Sequence, residues 1–375
     1  MSLIHIHPRH LTHRTGRRRS VANRQPGRWS APRIARRAGV AAVLACIGWM
    51  GAATGTGWLA SLVQPVQAQS QAASPTKAAT RAYRVPKTPW GDPDLQGLWS
   101  NATTTPLERP SQLAGKEVLT DAERAEFDAR RAAAVDGRPR AGDTGAYNSF
   151  WLDPGTASKQ TSLVVDPPDG RMPALTADAK QRDAALAKIR ARTAESWTEF
   201  SLYERCITRG MPGVMMPGFY NHNYQIFQTK DYVAILVEMI HDARIIPLDG
   251  RAHLPAKVRQ WNGDSRARWE GSTLVVETTN LLDIHERRPS LAVFGSSKDL
   301  KMVERFTRTD ENAIDYRFTL TDPAVYTKPW TASVPMYKID QPIFEYACHE
   351  GNHAIPNMLR GARVSDKLAA EGSKP

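Results

Sequence analysis

The chain has 375 residues, 41% apolar and 23% charged, with 50 Lys plus Arg against 38 Asp plus Glu and a formal net charge of +12. The excess sits in the first 68 residues, which hold ten Arg and no Asp, Glu or Lys, leaving 40 positive against 38 negative on the remainder, about +2. A nucleic-acid binder keeps its Lys and Arg on the folded domain, so that class is excluded, and the composition is neither disordered nor collagen-like.

Residues 1–68 read as an export signal. Arg17, Arg18, Arg19, Arg36 and Arg37 precede an apolar run over 38–63, and the small-residue site Val66-Gln67-Ala68 ends it, in the n-region, h-region and cleavage order of secretory leaders. Cleavage is expected after Ala68, by either the general secretory or the twin-Arg route. The run is long enough to anchor in a bilayer, but Gly48, Gly51, Gly55 and Gly57 and the cleavage site favour its removal. Membrane contact is therefore expected only through the uncleaved leader, and the mature protein in the periplasm or outside the cell. It keeps two cysteines, Cys206 and Cys348, and an even pair in an exported protein points to a disulfide, two buried thiols being the alternative.

Residues 69–90, rich in Ala, Ser, Lys and Pro, read as a flexible tether. Order is expected near Trp90, and 91–200 reads as an N-terminal helical layer with the first strand or strands. Thr120-Asp121-Ala122-Glu123 is a capping box opening a surface helix over 120–134. A second helix is predicted over 176–196, with Leu186 and Ile189 on one stripe. Between them 161–165 reads as a short strand, stopped by the turn cluster Pro167-Pro168-Asp169-Gly170.

The pattern then turns to β, and 201–375 reads as one antiparallel domain. Strands are predicted over 224–229, 232–240, 244–248, 266–270, 273–280, 301–309, 314–321, 331–339 and 343–348. Hairpin signals at Lys230-Asp231, Asp249-Gly250, Glu270-Gly271-Ser272 and Asp310-Glu311-Asn312 separate them. Ile314, Tyr316, Phe318 and Leu320 alternate with Asp315, Arg317 and Thr319, a strand with one wet face. Short strands in a meander tend to close and so remove their edges. The expected fold is mainly β, an antiparallel up-and-down β-barrel with an N-terminal helical layer and a C-terminal helix over 356–370.

Six segments carry a resemblance. They are Gly91-Asp92-Pro93-Asp94-Leu95-Gln96-Gly97 with Trp99, Tyr147-Asn148 with Trp151, Val164-Val165-Asp166-Pro167-Pro168-Asp169-Gly170, Gly218-Phe219-Tyr220-Asn221-His222-Asn223-Tyr224, Gly263-Asp264-Ser265-Arg266 with Arg268-Trp269-Glu270-Gly271, and Glu345-Tyr346-Ala347-Cys348-His349-Glu350-Gly351-Asn352. Through them nearly the whole mature chain resembles a family of exported bacterial proteins with no agreed activity, which implies export and no particular chemistry. Gly97-Leu98-Trp99 ahead of a meander also resembles the Gly-x-Trp opening of lipocalin-type, or calycin, barrels, which implies a small apolar ligand.

Six histidines lie beyond the leader: His222, His241, His253, His285, His349 and His353. His349-Glu350-Gly351-Asn352-His353 matches H-E-x-x-H, whose metal chemistry needs both imidazoles on one helical face. Here it follows a predicted strand and contains a Gly-Asn turn, so no metal is expected there. A better catalytic set faces the barrel interior. Glu304 shares a strand face with Met302 and Phe306, and Glu238 with Leu236 and Ile240. Burial raises a carboxyl pKa toward neutrality, which suits a general acid or base. His241 and His349 are their candidate partners, and Arg244 and Arg305 the candidates for holding an anionic group. The alternative is structural ion pairing of Glu238 or Glu304 with Arg244 or Arg266. Tyr220, Asn221, His222 and Asn223, beside Phe219, form a candidate binding loop, an Asn-rich entry into a strand being the alternative. Gly263-Asp264-Ser265-Arg266 lacks the strand-to-helix elbow of a serine nucleophile and reads as a turn, and Trp261, Trp269 and Trp330 read as packing.

Two functions fit. One is a cofactor-independent lyase, isomerase or hydrolase acting on a small, partly apolar molecule by acid/base chemistry. The other is a lipocalin-like carrier of an apolar ligand. A metal site using His222, His241 or His349 with a Glu ranks third.

Overall fold

The structure is a computed structural model, and it describes residues 83–135, 150, 152–218, 220–283 and 297–372. The leader, most of the tether, Tyr147, Asn148, Trp151, Phe219 and His285 lie outside the described residues.

Eleven strands and three helices are found among the described residues. The strands are β1 (Gly97–Ser100), β2 (Val164–Asp166), β3 (Asn223–Gln228), β4 (Tyr232–Val237), β5 (Ala243–Pro247), β6 (Asp264–Glu270), β7 (Thr273–Thr279), β8 (Lys301–Asp310), β9 (Ala313–Thr321), β10 (Trp330–Ser333) and β11 (Met336–Lys338). The helices are α1 (Asp121–Val135), α2 (Ala177–Arg190) and α3 (Ala354–Ala370).

Nine strands form one antiparallel, nearly closed barrel in the order β5-β4-β3-β1-β11-β9-β8-β7-β6. Read around the ring, that is an up-and-down meander in chain order, with β1 closing against β11 on one side and β3 on the other. The gap falls between β5 and β6, which face each other without a ladder. Alternation explains the sheet. In β9, Ile314, Tyr316, Phe318 and Leu320 are fully or almost fully buried, whereas Asp315, Arg317 and Thr319 are not. Trp99, Tyr224, Phe306 and Trp330 join them, so side chains fill the barrel.

Toward the end where β1 begins, the buried Trp99 indole N–H donates to the Leu95 carbonyl. Arg308 lies over its ring, 5.5 Å from the centroid, and donates to the Asp94 and Glu311 carbonyls. At the other end β1 runs out, β3 begins and β4 finishes, because Ser100 pairs with Asn223 and Tyr224 with Val237. Segment 103–107, Phe127 and Arg131 of α1, and Tyr203, Arg209, Met216, Tyr220 and His222 gather around a cavity at that second end.

Several elements depart from the predicted bounds. The strand expected over 331–339 is two pieces split at Val334-Pro335: β10 pairs with β2 and β9, and β11 with β1 and β9. Pro335 has no N–H to give a ladder there. The strand expected over 232–240 stops at Val237, because Glu238 turns helical and Ile240 and His241 take φ of 61° and 48°. Residues 343–348 form no strand; the Phe344 N–H goes to the Glu238 carboxylate rather than to a neighbouring strand. The second helix ends at Arg190, and Ser196 opens a separate short turn by accepting from the Thr198 N–H. The capping box at Thr120 and Glu123 forms as expected.

Cys206 and Cys348 are joined in a disulfide, with Cα atoms 5.6 Å apart. Among the described residues no helix is long and apolar enough to cross a membrane.

Candidate functional site

Of the candidate catalytic residues, Glu304 lies in the barrel and is engaged there. Arg244, on β5, reaches it with two parallel hydrogen bonds, Nη1 to Oε1 at 2.8 Å and Nη2 to Oε2 at 2.5 Å. Tyr316 adds a third, donating to Oε1 at 3.0 Å. Burial, and then the adjacent Glu304 carboxylate, hold the Tyr316 hydroxyl well above its ordinary pKa, so it stays a donor. Both charges are almost fully buried, a geometry in which loss of one partner costs about 3–5 kcal/mol. Arg244 also reaches Ser265 at 3.5 Å, so the pair braces the β5–β6 seam.

Glu238 and His241 lie at the open end, away from that pair. The Glu238 carboxylate accepts from the Asn223 side-chain amide at 2.6 Å and from the Phe344 N–H at 3.0 Å. His241 places Nδ1 3.1 Å from the Tyr346 carbonyl oxygen. Together they hold segment 343–348 against the barrel rim. His349 follows it on an exposed bend, and the H-E-x-x-H stretch is a turn with Gly351 at φ 68°. Arg305 is exposed and ion-paired with Glu270 at 2.6 Å. His253 bridges Asp264 and Glu277. The four candidate catalytic residues thus lie in three places, Glu304 in the barrel, Glu238 and His241 in the rim clamp and His349 on an exposed bend, and Asn223 serves the Glu238 clamp.

Tyr220 and His222 line a cavity of about 470 Å³ at this same open end. Leu107, Leu163, Met216 and Met239 give it apolar walls, and Phe127 of α1 covers one side. Asn221 between them sits at φ 56°, a left-handed conformation that Asn tolerates, and this lets both flanking side chains line the cavity. The His222 ring lies against Gly218, where a Cβ would come within 2.0 Å of Nε2. Glycine is required there by close approach.

Arg209 is the residue sequence reasoning missed. It is only 8% exposed, and its Nη1 lies 3.2 Å from His222 Nδ1 and 3.4 Å from the Met216 carbonyl oxygen. Burial, and then Arg209, push His222 well below its ordinary pKa, so the ring is neutral. Three tyrosines complete the rim. The Tyr203 ring lies 5.9 Å from the Arg209 guanidinium, its hydroxyl is 3.4 Å from that of Tyr346, and Tyr346 stacks on Tyr220 with centroids 6.4 Å apart. Burial first and the Tyr346 hydroxyl second push Tyr203 up to about 12, leaving it a neutral donor.

The disulfide explains how this rim is assembled, since Cys206 lies three residues from both Tyr203 and Arg209 and Cys348 two from Tyr346. Ile240, with φ of 61°, stands between Met239 of the cavity wall and His241 of the clamp. A β-branched residue there is strained by about 1–3 kcal/mol. A second cleft, along the β5–β6 seam, is lined by Asp242, Arg244, Ser265 and Arg266; both of its arginines are ion-paired. Among the described residues, no three His, Cys, Asp or Glu are grouped to hold a metal ion.

No protein-family model, curated protein or solved structure matches the chain.

Proposed function

We propose that this is an exported protein that binds a small, largely apolar molecule in the cavity at the open end of its barrel. The observation that carries this reading is the cavity itself. Its volume of about 470 Å³ falls within the ~300–1,000 Å³ of small-molecule sites, and apolar walls with a few converging polar groups are their usual make-up. The Arg-rich leader and the Cys206–Cys348 bridge support an oxidising destination outside the cytoplasm. The Gly-x-Trp opening, with Trp99 buried in the barrel, supports a lipocalin-like binding role. Binding is preferred to acid/base catalysis because Glu304 is neutralised by Arg244 while Glu238 and His241 hold segment 343–348.

Native mass spectrometry of the mature protein, purified under gentle conditions from the cells that make it, tests this. A small molecule retained one to one and released on unfolding is expected. Chains that are empty in every preparation contradict the proposal.

A further inference from the structure

We propose that the cavity recognises a small amphiphilic anion, one carboxylate on an apolar body, with the Arg209 guanidinium as its anchor. This rests on the reading of the cavity as a ligand site and adds the chemistry of the ligand. Arg209 is 92% buried by its 8% exposure, and it lines the cavity. Among the described residues it has no ion pair, and its hydrogen bonds come from Nη1 alone, to His222 and the Met216 carbonyl. Nε and Nη2 are left without a hydrogen bond there.

No described Asp or Glu lines the cavity, whereas a second cation, the exposed Arg131 of α1, does. The groups that most favour the Arg209 charge are phenols, Tyr224, Tyr203, Tyr346 and Tyr220, and phenols are neutral at ordinary pH. Taking a cation out of water without an opposing charge is costly. The other buried arginine of the barrel, Arg244, has its carboxylate in Glu304; Arg209 has none among the described residues. A ligand carboxylate supplies it, because the guanidinium fork matches a carboxylate with two parallel hydrogen bonds. The Tyr203 ring lies 5.9 Å from the guanidinium, and its hydroxyl is a further polar group of the rim. A single buried positive charge favours a monoanion, since a second negative charge is uncompensated and poorly solvated. The walls of Leu107, Leu163, Met216 and Met239 then take the apolar body.

Titration calorimetry of the mature, disulfide-bonded protein at pH 7 with decanoate and with 1-decanol tests the anchor. Decanoate is expected to bind about tenfold tighter or more, the scale of a hydrogen bond to a charged group. Arg209→Met is expected to abolish that preference and leave 1-decanol binding within a factor of about three. Its melting temperature should hold or rise, because an unpaired buried charge is gone. If Arg209→Met does not fold, Arg209→Gln carries the same comparison, retaining a donor without the charge. Equal affinities in the wild type, or a preference that survives in the variant, overturn the anchor while 1-decanol binding leaves the cavity reading standing. Binding of neither probe overturns both.

Discussion

His222 spends its buried position on a neutral ring, and that has a sign in pH. In the folded chain its pKa lies well below the ordinary 6.5, first because burial disfavours the imidazolium and second because the Arg209 cation is adjacent; the Met216 carbonyl acts the other way. The unfolded chain takes up its proton near 6.5, so the unfolded state binds more protons over the interval below that value. The stability His222 contributes is therefore complete above about pH 6.5 and is lost as the pH falls toward the lower, folded value. Thermal melts between pH 7.5 and 5 should show a steeper acid loss for wild type than for His222→Gln, which keeps a polar side chain with nothing to titrate. Equal slopes contradict the assignment of a neutral, buried imidazole beside Arg209. At this scale the sequence was partly legible. Alternation placed Glu304 in the core, and ion pairing with Arg244 was one of its two readings. Arg209 carried no such signal: it follows Ile207-Thr208 in a stretch without regular periodicity, and only the fold shows it facing a cavity.

The elements most exposed to error were those whose hydrogen bonds leave the ladder. Strands β3, β4, β8 and β9 bury alternate residues and are joined by turn residues, so their neighbours around the barrel follow from local rules, although β4 buries Val233, Ile235 and Val237 rather than the expected Leu236 face. Segment 343–348 has the composition of a strand, yet its Phe344 N–H is taken by Glu238 and its Tyr346 carbonyl lies against His241. Side-chain partners from a remote turn are invisible to a period-two pattern. That segment is held at its far end by the disulfide, which closes a separation of 142 residues. On the chain-entropy account such a loop stabilises by about 5 kcal/mol. The pair Cys206→Ala with Cys348→Ala should lower unfolding free energy by several kcal/mol in urea titrations, within the ~2–5 kcal/mol found when native bridges are removed. It should also release Tyr346 from Tyr203, so the late tyrosinate transition of Tyr203, near pH 12, should move down in ultraviolet titration. An unchanged alkaline titration contradicts a part for the bridge in assembling the rim.

At the scale of the molecule, the barrel supplies a frame filled with side chains, and the proposed binding site lies at its mouth rather than in its centre. The filled interior follows from bulk: Trp99, Tyr224, Phe306, Tyr316 and Phe318 are all 0% exposed. The sequence indicated an inward-facing polar set, but it offered no means of distinguishing a hollow tube from a packed one with a cavity above it. That distinction depends on how segment 103–107, α1 and residues 203–218 meet around the cavity, which are long-range contacts between pieces remote in the chain. The methionines provide a direct reading of where a ligand goes. Met216 and Met239 line the cavity, whereas Met302 and Met336 are buried in the barrel. In a sample carrying carbon-13 in its methionine methyl groups, saturating addition of decanoate should shift the resonances of Met216 and Met239 and leave those of Met302 and Met336 in place. Unmoved resonances at the cavity pair, or shifts confined to the barrel pair, contradict a ligand site at the barrel mouth.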